Sequence, residues 1–166
     1  MGAFPAFGRE CAVSLGANAL NIGIRKARTE DAGAIIEVLK YADFLKDRYR
    51  GEEGISLVES LVETDPDMIW LVDLHGQVAS VMIVKRKDEF GYLEISLLVT
   101  EREFLRHGFA RRPTHKAKQL AADNKLDLAA YPKNEKSKNL LISERFKFDG
   151  MSADELPSYR FQRENP

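Results

Sequence analysis

The residues best suited to chemistry fall in one short run, Leu105-Arg106-His107-Gly108-Phe109-Ala110. Small residues at 108 and 110 let a backbone turn sharply and approach a ligand closely, and helical periodicity resumes directly behind them. From Arg102 to Lys118 the chain carries six Lys or Arg side chains against one acid, Glu103, although its 166 residues net only -1. A turn that aims backbone N–H groups outward at a helix N-terminus, ringed by cations, is suited to holding an anion, most simply a phosphate. Arg106, His107, Arg111 and Arg112 are the cationic candidates around it. The alternative for the same charges is a solvated helix face.

A second candidate lies just upstream, in Leu93-Glu94-Ile95-Ser96-Leu97-Leu98-Val99. An acid between two apolar neighbours in a strand is partly desolvated, which suits it to taking up a proton. Glu94 is therefore a candidate general base, unless strand alternation simply turns it to solvent. The three histidines, His75, His107 and His115, do not form a metal set: His75 falls in a predicted hairpin turn, and no carboxylate stands at ligand spacing from the other two.

The elements that must position these groups can be read from periodicity. Ile22 to Ala27 alternates as a first strand. Thr29-Glu30-Asp31 starts a helix predicted over about 30–46, with Ile35, Val38, Leu39, Ala42 and Leu45 on one face. A second helix is predicted over Glu52 to Glu63, ended by Asp65-Pro66-Asp67. Met68 to Leu74, Gln77 to Arg86 and Tyr92 to Thr100 then read as a three-strand meander with turns at His75-Gly76 and at 88–91. Past the basic turn come a helix from Ala110 to about Asn124, a strand over Leu126 to Tyr131, a short helix over Glu135 to Arg145 and a last strand over Tyr159 to Arg163. The expected order is β-α-α-β-β-β-α-β-α-β, a mixed α/β (α+β) architecture whose mostly antiparallel central sheet is flanked by helices.

That order, with a phosphate-type turn between the fourth strand and the third helix, resembles the GNAT superfamily of acyl-CoA-dependent N-acetyltransferases. The family's turn, Gln/Arg-x-x-Gly-x-Gly/Ala, is matched by Leu105 to Ala110, with Gly108 and Ala110 at its small positions. Phe104 occupies a position that is often aromatic. Downstream, Asn134, Ser137, Leu140, Leu141, Arg145 and Phe146 stand where the family tends to show Asn-x-x-Ala-x-x-Leu-Tyr-x-x-x-Gly-Phe. The resemblance spans about Ile22 to Arg163. It implies acetyl-CoA as acyl donor, with the pyrophosphate on Leu105, Arg106, His107, Gly108, Phe109, Ala110 and Arg111. It further implies that backbone amides of a splayed fourth strand, at about Leu98, Val99 and Thr100, serve the pantetheine arm and thioester carbonyl, and that Asn134 belongs to the same donor site. Glu94 falls at a spacing to the turn similar to that of the strand base in histone-acetylating members. Tyr41, Asp43, Arg48 and Tyr49 lie between the first two helices, the region that lines the acceptor site in this family.

Three departures matter. Leu105 replaces the polar first residue of the turn, removing a side-chain donor but not the backbone amides. Leu141 stands where many members carry the Tyr that protonates the leaving thiolate. Pro113 falls early in the third helix, where it lacks an N–H and is expected to loosen the first turn or to make the regular helix restart.

Composition narrows the function classes. The lone Cys11 excludes an internal disulfide framework and a cysteine zinc cluster. No apolar run approaches the ~20 residues of a membrane span. The first residues make a poor secretion signal and lack the myristoylation pattern, so a cytoplasmic setting is expected. Near-neutral charge argues against general nucleic-acid binding. Residues 1–21 read as an apolar N-terminal extension to a GNAT-like domain over 22–166. Phe4, Phe7, Val13, Leu15 and Leu20 there suggest contact with a partner chain or a second copy. The functional expectation is acetyl transfer to a primary amine, on a small molecule or a protein. The alternative is a catalytically weak or inactive GNAT-fold component of a larger assembly, such as a virion protein.

Overall fold

A computed structural model of the protein describes residues 22–42, 49 and 51–162. The apolar runs become strands of one sheet: β1 (Ile22–Lys26), β2 (Ile69–Leu74), β3 (Gln77–Lys87), β4 (Tyr92–Thr100), β5 (Asp127–Ala130), β6 (Lys147–Met151) and β7 (Pro157–Phe161). They lie in the order β1-β2-β3-β4-β5-β7-β6. Only β4 and β5 run parallel. A parallel pair needs a crossover, which the helix α3 (Arg111–Asp123) supplies. The turn before α3 thereby lands beyond the C-terminal end of β4.

The remaining helices are α1 (Ala32–Leu39), α2 (Gly51–Thr64) and α4 (Glu135–Ser143). Ile35, Val38 and Leu39 of α1 and Val58 and Val62 of α2 cover Leu71, Val81, Ile83, Leu97 and Val99 on one face of the sheet. Ala117 and Ala121 of α3 and Leu141 of α4 cover Met82, Leu93, Ile95, Leu128 and Ala130 on the other. Buried apolar area on both faces is what holds the layers together. Among the described residues, no helix is long and apolar enough to cross a membrane.

Four expectations need correction. The first helix does not run over 30–46: Thr29–Asp31 is a 3-10 turn, α1 starts at Ala32, and after Leu39 the chain tightens, Tyr41 N–H donating to Val38 and Ala42 N–H to Leu39. Residues 43–48 lie outside the described residues. The order gains a strand, β6, because Lys147-Phe148-Asp149-Gly150-Met151 is a mostly exposed edge strand with no alternation to betray it. The last strand spans Pro157–Phe161, pairing Pro157 with Met151, rather than Tyr159 to Arg163. Pro113 neither loosens nor restarts α3: it is the third helical residue and fully buried. An N–H there would have had no intrahelical acceptor.

Candidate functional site

The turn from Leu105 to Ala110 owes its shape to two left-handed residues, Arg106 at φ 70° and Gly108 at φ 76°. Left-handed residues among right-handed ones make successive N–H groups converge into a concavity suited to an anion. Among the described residues, the N–H groups of Arg106 to Ala110 donate to no backbone carbonyl; the bonds that frame the turn are Leu105 N–H to Arg102 and Arg111 N–H to Gly108. Phe109 fixes the turn to the sheet. Its ring is buried on Val72 and Ala79 and meets Phe104 edge-on at 5.4 Å. A Cβ on Gly108 would meet nothing within 4 Å. Gly108 is therefore favoured by its backbone angle, not by crowding from the protein.

The second part of the site is a break in the sheet. Ile83 pairs with Leu97 and Val84 with Ile95, which leaves Ser96 as an extra residue on β4. The parallel ladder to β5 stops at the same level, with Ile95 opposite Ala130. Two local causes coincide: a bulge bends its strand, and Pro132, two residues past Ala130, has no N–H to continue the ladder. From Ser96 to Thr100, β4 therefore presents alternate backbone N–H and C=O groups to the side that β5 has left. The bulge also explains why Leu93 and Ile95 pack toward α3 and α4, whereas Leu97 and Val99 pack toward α1 and α2.

Between the parted strands opens a cavity of about 340 Å³. Ser96, Leu98 and Thr100 form one wall, Leu105 and Ala110 one end, and Tyr131, Asn134, Lys136, Leu140 and Leu141 the opposite wall. Asn134 also caps α4, its Oδ1 accepting from Ser137 N–H at 2.9 Å. Lys133 and Lys136 also line the cavity. Sequence reasoning misses them because they lie far from the basic run, though placement at a helix start is a usable signal.

Of the expected site residues, the structure gathers Leu98, Thr100, Leu105, Ala110 and Asn134 around the cavity. Val99 turns its side chain into the core beneath α1 and α2, so only its backbone can face the opening. Phe109 is an anchor by its side chain. Arg106, His107 and Arg112 are exposed at the turn. Arg111 leans instead toward Glu144, with Nε 3.6 Å from Oε1.

Glu144, at the end of α4, is 7% exposed and is held by Lys118 at 3.0 Å and by His115 at 2.7 Å. Burial opposes its ionisation, but the Lys118 and His115 contacts prevail and hold its carboxyl below the ordinary range. This cluster clamps the end of α4 to α3.

Glu94 is half-buried, paired across β3 with Lys85 and across β5 with Ala129. It lies on the opposite face from Leu93 and Ile95, beside Tyr92. Tyr41 is exposed and Tyr49 buried next to α2, whereas Asp43 and Arg48 lie outside the described residues.

Known structures share this architecture. The chain superimposes on an N-acetyltransferase from Staphylococcus aureus Mu50 with a TM-score of 0.69 at 18% identity, over 85% of this chain and 98% of that one. An acetyltransferase from Thermus thermophilus gives 0.68 at 19% identity, over 84% and 96%. PaiA N-acetyltransferase from Thermoplasma acidophilum, solved in complex with coenzyme A, gives 0.67 at 14% identity, over 86% and 99%. No family model matches the chain, and no curated protein sequence does. At these identities the likeness defines the fold: the chain has the GNAT acetyltransferase fold.

Proposed function

We propose that the protein is an acyltransferase that takes an acetyl group from acetyl-CoA and passes it to a primary amine by direct attack. The observation that carries this reading is the meeting of an amide-lined, cation-ringed turn with a bulge-parted pair of strands across one cavity. The turn, with Arg106, His107 and Arg112, would hold the pyrophosphate, and Lys133 and Lys136 would add charge from the far rim. The amides that β4 turns away from β3 between Ser96 and Thr100 would bind the pantetheine arm and polarise the acyl carbonyl. When bound, the thioester supplies an acyl carbon activated for attack.

Glu94 is the proposed base. It stands at the parting of β4 and β5 on the face away from α3 and α4, so an amine arriving from that side could lose a proton to it. The acceptor class extends from small amines to a protein Lys or N-terminus. We place the protein in the cytoplasm, with residues 1–21, outside the described residues, as a partner-binding extension.

Calorimetry with acetyl-CoA tests the reading. The wild-type chain should bind, and Gly108→Val should lose at least about 100-fold in affinity, because a β-branched residue is strained in the left-handed region and its side chain enters the space before the turn. Unchanged affinity in the folded variant would remove the turn from the site. If the wild-type chain does not bind acetyl-CoA, the reading passes to a non-catalytic GNAT-fold component of a larger assembly, such as a virion.

A further inference from the structure

Leu141 lines the cavity with a side chain that carries no proton to give. A phenol, that of Tyr131, belongs to the same lining. Tyr131 is the first residue of its chain beyond the last β4–β5 pair, as Ser96 is of the other, so both flank the apex of the opening. Tyr131 lines the cavity, and its hydroxyl lies 3.4 Å from the hydroxyl of Tyr92. Tyr92 belongs to the opposite face of the sheet, upstream of the bulge and beside Glu94. The tyrosine pair thus joins the cavity to the face from which an amine would come.

We propose that Tyr131 is the proton donor to the leaving sulfur, and that Tyr92 is the positioning residue that holds it in that role. The proposal rests on the acyl-transfer reading above. As the amine nitrogen bonds to the acyl carbon, the carbon–sulfur bond breaks and its electron pair stays on sulfur. The sulfur takes the Tyr131 hydroxyl proton, and the proton shed by the amine goes to Glu94. The phenolate left on Tyr131 is stabilised by the Tyr92 O–H until solvent returns a proton.

Either hydroxyl can donate in the 3.4 Å contact, and in the proposed arrangement Tyr92 donates to Tyr131. The hydrogen bond to Tyr131, burial, and the negative charge of Tyr131 and Glu94 push Tyr92 up to about 12, against the opposing Arg160, whose guanidinium carbon sits 4.9 Å from the Tyr92 ring centre. Phe90 stacks on the same ring at 6.1 Å. Tyr92 therefore keeps its proton at neutral pH and has it available to donate to Tyr131, which leaves the Tyr131 proton for the cavity.

Three measurements on the full chain test this. Calorimetry with acetyl-CoA should give Tyr131→Phe an affinity within about twofold of wild type. Thiol release from acetyl-CoA, with a simple primary alkylamine as acceptor, should fall at least about tenfold in Tyr131→Phe, and the loss of rate on the alkaline side should vanish with the phenol. Ultraviolet titration needs no activity: removing Tyr131 should let Tyr92 ionise nearer the ordinary tyrosine value of about 10. Tyr92→Phe should keep acetyl-CoA affinity and shift the alkaline limb without abolishing it. If acetyl-CoA binds but Tyr131→Phe releases thiol at the wild-type rate, the proton-donor role is overturned while the site reading stands. The role is overturned equally if a binding-competent wild type releases no thiol. An unmoved ultraviolet titration would break the pair itself.

Discussion

The turn before α3 and the parting of β4 from β5 serve one cavity, but they are made by different means. The turn is local: six consecutive residues, two of them left-handed, set its shape, and the charges beside it are near in sequence. The parting is non-local. It depends on one surplus residue, Ser96, and on Pro132 some 36 positions later. A local device tolerates change elsewhere in the fold, whereas a register device fails or survives according to which residue is touched.

Two deletions would separate these cases most sharply. Removing Ser96 makes the β3–β4 ladder regular while Ile95 and Leu97 keep their faces, so the domain should still melt cooperatively. Its acetyl-CoA affinity should nevertheless fall at least about 100-fold as β4 straightens. Removing Leu98 instead sends Val99 to the wrong face and should abolish cooperative folding. A Ser96 deletion that binds normally would show that the bulge does not shape the donor site. Glu94→Gln comes next, with turnover about 10²-fold lower and acetyl-CoA affinity retained, because the base serves the amine rather than the donor. Normal turnover would leave Glu94 as a solvent-side strand residue.

The Glu144 clamp links the two regions, and breaking it should cost stability before it costs binding. Glu144→Ala should destabilise by about 2 kcal/mol in chemical denaturation, since the half-buried Lys118 loses its carboxylate partner but keeps the carbonyl of residue 144, 2.6 Å away in the wild type. The sign with pH is fixed by the lowered folded-state value. The contribution is complete above the unfolded carboxyl's pKa of about 4.3 and fades as pH falls through the lower folded value. Wild type and variant should therefore converge in stability in acid. If the gap persists there, the clamp acts by packing rather than charge.

This division also sorts what the sequence made legible. The helices, the meander and the turn follow from periodicity and from small residues next to charge, and each resides in a continuous stretch. Ser96 gave no sign, because a bulge is a relation between two strands and β4 alternates in burial along its whole length in spite of it. Tyr92 and Tyr131 are 39 residues apart and meet only because β4 and β5 run parallel. Glu144 read as one more helix-end acid, although its partners Arg111, His115 and Lys118 follow an i, i+4, i+7 stripe on α3. β6 escaped because an exposed edge strand needs no apolar alternation.

The smallest predicted effect tests whether the charges around the cavity act as the local or the distant kind. Arg111 stands beside the turn but shares its guanidinium with Glu144, while Lys136 stands on α4 and makes no ion pair among the described residues. If proximity in sequence decided, Arg111 would matter more. The geometry reverses that order: Lys136→Ala should weaken acetyl-CoA binding by about threefold to tenfold at low salt, and Arg111→Ala by less, because its charge is already partly spent. Both losses should shrink as ionic strength rises past about 0.15 M, where exposed charges are screened beyond about 8 Å. Calorimetry across a salt series reads both terms at once. A larger, salt-sensitive loss in Arg111→Ala would mean that its side chain leaves Glu144 when the donor binds, and that the clamp and the turn exchange a partner during the cycle.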